Sequence, residues 1–143
     1  MLARRIPNGM TIPLKPASKS AAKVLNVLAE GLTEPGQAKK IDNTGGAFMP
    51  VHVERVGRNE HGLVYSFAHY YEVRGDLVAD PEMEILRDDT GAWLPMSITM
   101  AVGGKRALVL GENGSVRVNE REYRSQLRFL AIWTKNIKQQ QRL

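Results

Sequence analysis

The sequence predicts an α+β domain: an antiparallel meander of about five or six strands, with an N-terminal helix and a long C-terminal helix packed on one face. Three observations predict it. Apolar residues recur at helical spacing in residues 18–32 and again after Asn119. Between those stretches they alternate with polar residues in short runs, and most runs end at a turn rich in Gly, Asn or Asp.

Residues 1–17 carry Pro7, Pro13 and Pro16 with Gly9 and show no periodicity, so they read as a basic, extended or mobile arm ahead of a domain at 18–143. Ser18 or Ser20 can cap the first helix. Val24, Leu25, Leu28 and Leu32 form its apolar face, and the stretch 31–36 with Pro35 ends it. The run DNTGG at 42–46 is a loop.

Met49, Val51 and Val53 alternate as a strand, and residues 57–62 then read as a hairpin connection. The strongest strand is 63–72. It sets Leu63, Tyr65, Phe67, His69 and Tyr71 on one face and Val64, Ser66, Ala68 and Tyr70 on the other. Both faces are partly apolar, as in a central strand covered on one side by a helix. Arg74-Gly75-Asp76 opens an acidic turn, and residues 82–87 form the next strand. Residues 88–91 (DDTG) turn the chain, and 93–102 is a strand whose Pro95 marks an edge or bulge. Gly103-Gly104 leads into a strand at 106–110, and Glu112-Asn113-Gly114 leads into another at 116–118. In the second helix Asn119 is the cap, with Glu122 in a box-like position. Tyr123, Leu127, Leu130, Trp133 and Ile137 line one face, and Trp133 and Phe129 read as core.

At 143 residues the chain is long enough for a single core. No apolar run approaches the ~18 residues of a membrane span, so no membrane role is expected. The absence of cysteine removes disulfides and thiolate chemistry. We place the chain in the cytoplasm, to which this composition is suited. The net charge of +5 conceals an asymmetry. Residues 1–20 hold four bases and no acid, residues 41–103 hold ten acids against four bases, and residues 104–143 hold nine bases against three acids. Such a layout neutralises itself on folding, or it presents basic ends to a nucleic acid.

Two constellations are candidate sites. The first is the acidic segment, where Asp76, Asp80, Glu82 and Glu84 offer hard oxygen ligands for a divalent ion. Glu82 and Glu84 share a face if both lie on one strand. The spacing does not match an EF-hand, and the simpler reading is a structured turn or partner surface. The second is the basic helix stripe of Arg121, Arg124, Arg128, Lys135 and Lys138, suited to a phosphate backbone with Arg4 and Arg5 reaching into a groove. Its simpler reading is a solvated face. His52, His61 and His69 are spread over strands and a turn; His52 and His69 would face each other only across a hairpin, with Glu54 or Glu72 beside them. No catalytic residues and no cofactor are assigned.

Three pieces carry a family resemblance: DNTGGAFMP at 42–50, HYYEVRGDLVADPEM at 69–83, and a closing helix with Trp133, Asn136, Ile137 and Gln139. Over roughly residues 40–140 the chain resembles a family of small bacterial proteins, a domain of unknown function, carried on conjugative plasmids and integrative mobile elements. The resemblance implies a mobile-element setting and a compact α+β fold, and it implies no catalytic residues. The function expected from all of this is a non-catalytic accessory protein that binds a macromolecule, either a host protein or DNA. Two alternatives are an anti-defence inhibitor of CRISPR or restriction systems, and a divalent-metal-dependent enzyme using the acidic turn.

Overall fold

A computed structural model of the chain describes residues 3–5, 11–111 and 115–143. In chain order, β1 (Ala3–Arg5) pairs antiparallel with β2 (Thr11–Pro13). Helix α1 (Lys19–Ala29) follows, then β3 (Ala38–Ile41), β4 (Val51–Asn59), β5 (Gly62–Val73), β6 (Asp76–Asp88), β7 (Trp93–Met100) and β8 (Gly103–Arg106). β9 (Leu108–Leu110), β10 (Val116–Val118) and α2 (Glu120–Gln140) complete the chain. The six strands β3 to β8 form one antiparallel meander in sequence order. Both helices pack on it, so the α+β class and the central place of the 63–72 strand are as expected.

Three details differ from the expectation, each for a physical reason. β3 was not foreseen, because AKKI shows no clean alternation and its lysines suit an exposed edge strand. The stretch 106–110 is two strands. It breaks at buried Ala107, whose N–H donates to the Met96 carbonyl (2.7 Å) and whose carbonyl accepts from Asn119 (3.0 Å). β9 therefore leaves the main sheet and pairs with β10; the Glu112-Asn113-Gly114 turn lies outside the described residues. The acidic segment, expected to be a turn, is instead the outer half of β6. The turn closes on Arg74 and Gly75 alone, at φ 52° and 89°, with Val73 paired to Asp76. Two consecutive positive φ values make the tight hairpin turn whose twist matches that of the strands.

The bulges fall where the sequence breaks its own alternation. Between Ala68↔Glu82 and Tyr70↔Ala79 the register shifts, with His69 opposite Asp80 and Pro81. Between Glu84 and Ile85 it shifts again, and the facing residue left over is Met96, next to Pro95. A bulge tolerates a proline because a ladder donor is missing there anyway.

Ser18 and Asn119 cap the helices as expected, their side chains accepting from Ala21 (3.2 Å) and Glu122 (3.1 Å) backbone N–H groups. Glu122 does not close the box; its carboxylate accepts from the Gln126 amide at 3.0 Å. The main core joins Val24, Leu25 and Leu28 of α1 and Leu130, Trp133 and Ile137 of α2 to the sheet. Trp93 lies at its centre, fully buried, 5.2 Å from the Tyr65 ring and 5.8 Å from Phe67. Ahead of α1, the Ala17 N–H bonds the Trp93 carbonyl and the Tyr123 hydroxyl donates to the Lys15 carbonyl, so this part of the arm is tied to the sheet and to α2.

One polar clamp joins distant pieces of the sequence. Gln141 is fully buried after α2. Its side-chain oxygen accepts from Asn43 N–H (2.7 Å), its amide donates to the Met49 carbonyl (3.2 Å), and its carbonyl accepts from the Asn43 side chain (2.9 Å). The loop at 42–49 is thereby pinned to the last turn of α2. Gln141→Ala removes two of these three bonds and empties a buried site, and is expected to cost about 2 kcal/mol, read as a lower urea midpoint at unchanged m-value.

Candidate functional site

The four acids singled out in the sequence do not converge. Asp76 is exposed at the start of β6. It sits at the end of a projecting ribbon, because residues 70–79 pair only with each other, beyond the registers of β4 and β7. Asp80 lies in the bulge. Glu82 and Glu84 do share a face, as strand alternation requires, opposite Ala68 and Ser66 of β5. Of the four, only Glu82 lines the shallow cleft of about 410 Å³ on that open face, together with His52, Glu54, Ser66 and Tyr70.

In this cleft Ser66 and Tyr70 donate to the two Glu82 carboxylate oxygens, both at 3.4 Å. Burial, then the Glu82 and Glu54 charges, push the Tyr70 phenol up, so it stays protonated and serves as a donor. His52 meets the Tyr70 ring edge-on at 5.0 Å and is held low by burial and by Lys40. Among the described residues no three His, Asp or Glu side chains are placed to share a metal ion. The cleft is a polar, solvated sheet face with one ordered carboxylate.

His69 is separate from this cleft. Its ring turns inward, and its Nδ1 accepts from the Trp133 indole N–H at 3.3 Å. His52 and His69 do not face each other across the hairpin, since His52 stands opposite Ala68. Burial, and secondarily His52, lower the His69 pKa. The folded state then resists a proton that the unfolded chain takes up near pH 6.5. Stability is therefore complete above that pH and falls as pH drops below it. Protonation would also point an Nδ1–H at the indole N–H. The midpoint of urea unfolding is expected to fall between pH 7.5 and 5, by at most about 1.4 kcal/mol per pH unit from this group. His69→Gln, which keeps an acceptor and cannot titrate, should flatten that slope.

The basic residues do converge, and more of them than the α2 stripe suggested. Arg121, Arg124, Arg128, Lys135 and Lys138 are all exposed along α2. α1 packs beside this stripe and leaves a groove of about 740 Å³ between the two helices. Lys19 and Lys23 of α1 stand on one wall and Lys135 and Lys138 of α2 on the other. The lining between them is mostly apolar, from Val24, Val27, Ala131 and Leu143, with Ser20 and Thr134 as its neutral polar members. Neither Lys19–Ala29 nor residues 123–143 contain an acid. Among the described residues no carboxylate lies within salt-bridge distance of these four lysines. The fold thus segregates charge rather than pairing it: a positive helical layer, with carboxylates on the open sheet face.

Lys19 and Lys23 were missed as site residues. Their i, i+4 spacing at the edge of the α1 apolar face was a visible signal, but the groove exists only once α2 packs alongside. Trp133, 5% exposed, belongs to the core as expected.

Residues 20–143 match the family described as Domain of unknown function (DUF6908). The chain belongs to this family. The match begins at Ser20 in the first turn of α1, so of the four groove lysines Lys23, Lys135 and Lys138 lie within it and Lys19 stands just ahead of it. The segments that carried the resemblance fall on the loop pinned by Gln141, on the β5–β6 ribbon and on α2. No curated protein and no solved structure matches the chain.

Proposed function

We propose that this protein acts by binding a macromolecule, without catalysis, and that its working surface is the helical layer formed by α1 and α2. The single observation that carries this reading is the acid-free groove, with lysines from two separate helices on its walls and apolar side chains exposed between them. Four ammonium groups held on one groove repel each other, and among the described residues no carboxylate lies within salt-bridge distance to relieve them, so an anionic partner gains from approaching this face. The open sheet face carries Glu54, Glu82 and Glu84, and the Glu82 carboxylate is already committed to Ser66 and Tyr70. We also propose, on the sequence resemblance, that the setting is a bacterial mobile element and the site of action the cytoplasm.

A second reading, DNA as the partner, is favoured by the continuation of the stripe through Arg121, Arg124 and Arg128. Charge reversal separates them. Lys19→Glu with Lys135→Glu is expected to abolish co-purification of the natural partner from the host cell. Arg121→Glu with Arg124→Glu and Arg128→Glu should leave it within a few-fold if the groove is the site. Loss only in the arginine variant, with binding to a 20-base-pair duplex that collapses between 50 and 200 mM salt, would favour DNA.

A further inference from the structure

We infer that the α1–α2 groove receives an acidic amphipathic helix of a protein partner. This inference rests on the reading of the helical layer as the binding surface and names the chemistry of what binds.

The shape of the charge distinguishes a helix from a nucleic acid. A nucleic-acid backbone is polar along its whole length, so a surface that serves it spreads Lys and Arg over polar ground. Here the lysines stand on two opposing walls and the ground between them is mostly apolar, with only Ser20 and Thr134 polar. Val27 is 47% exposed in that floor, although Val24 one turn before it is 5% exposed. Phosphates laid over such a floor would remove water from both partners and return no apolar contact. A helix returns both. An apolar ridge at i, i+3, i+4 and i+7 fits between two packed helices at the ordinary interaxial spacing of about 8–10 Å. Its flanking carboxylates then meet ammonium groups on either side.

The spacing of the lysines fits the same occupant. Lys19 and Lys23 are four apart on α1 and Lys135 and Lys138 are three apart on α2, so each pair repeats at about one helical turn. A Glu or Asp on each flank of the incoming helix, repeated at the same one-turn interval, pairs with both walls along about two turns. Ala131 keeps the middle of the α2 wall low, where a larger side chain would fill the trough. Long Lys stems also cover the apolar contact while their charges reach the rim.

The test uses the full chain and a labelled synthetic 18-residue peptide. The peptide carries Leu at i, i+3, i+4 and i+7 on one face and Glu on both flanks. The controls are a scrambled peptide of the same composition and charge and a labelled 20-base-pair duplex. The expected result is saturable binding of the amphipathic peptide, at least tenfold tighter than the scramble. Amide shift changes should centre on Val24, Val27 and Ala131. Val27→Glu and Ala131→Glu, both at exposed helix positions, should each weaken binding at least tenfold with unchanged circular dichroism. Should either variant lose helicity, Lys19→Glu with Lys135→Glu makes the same measurement from the rim. Equal binding of peptide and scramble, or shifts on the open sheet face, overturns the inference. Duplex binding through the groove lysines with no peptide preference overturns it too, but leaves the helical layer as the binding surface. Binding of none of the three probes, with the natural partner captured equally well by the lysine-reversed chain, overturns both.

Discussion

Trp93→Ala is expected to be the most damaging single truncation in the protein, at about 3–5 kcal/mol. The indole is fully buried where the first residue of β7 meets α1 and β5. Its edge faces Tyr65 and Phe67, and its N–H donates to the Asn26 side chain at 2.9 Å. The Arg87 guanidinium lies 5.3 Å over the ring, and the Trp93 carbonyl accepts from Ala17. Truncation removes a fully buried indole, opens a cavity between helix and sheet, and breaks the bond to Asn26. For a chain of this size the loss converts to a fall in Tm on the order of 10–15 °C. Trp93→Phe keeps most of the volume and should lose less than half as much. A scan showing Trp93→Ala within about 1 kcal/mol of wild type would mean that the core is not centred there.

Gly62→Ala should rank next, although it adds one methyl group to a turn. Gly62 follows the Glu60-His61 turn at φ 151°, a backbone conformation that L side chains rarely adopt. A Cβ there would sit on the Arg87 carbonyl oxygen and 2.9 Å from the Asp88 Cα. Both neighbours are backbone of the adjacent strand, so neither can rotate away. The β5–β6 register must shift or the turn must open, at a cost of about 3 kcal/mol or more. Gly57→Ala is the control, because the β4–β5 register shifts between Arg55 and Gly57 and nothing lies within 4 Å of a Cβ at Gly57. Denaturant midpoints should show a large loss for Gly62→Ala and little change for Gly57→Ala.

The legible part of this fold is the part written in local periodicity. The face of β5, the α1 and α2 stripes and both caps depend on residues within one or two turns of each other, and all appear in the structure. The acidic segment was legible in its alternation but not in its turn. Arg74 is an unusual residue for a left-handed turn position, so nothing marked a two-residue loop there. β3 was hidden because an edge strand rich in lysine carries no apolar rhythm. Gln141 was hidden because a buried glutamine is recognised only by its partners, and Asn43 lies 98 residues away.

The candidate site shows the same division. The α2 basic stripe could be read from the sequence, since one helix carries it. The groove could not, since Lys19 and Lys135 belong to helices separated by the whole sheet in sequence and share a surface only once those helices pack side by side. The charge asymmetry along the chain survives folding as an asymmetry between faces. That is why the helical layer, and not the acidic segment, is the surface on which the functional account rests.

The most direct measurement is site-specific photo-crosslinking in the host cell, with a photoreactive residue placed at Val27 in the groove or at Thr99 on the open sheet face. Both positions are exposed, and Thr99 stands opposite Glu82. The account predicts a discrete protein adduct from Val27 that disappears with Lys19→Glu and Lys135→Glu, and none from Thr99. An adduct from Thr99 with none from Val27 would contradict it.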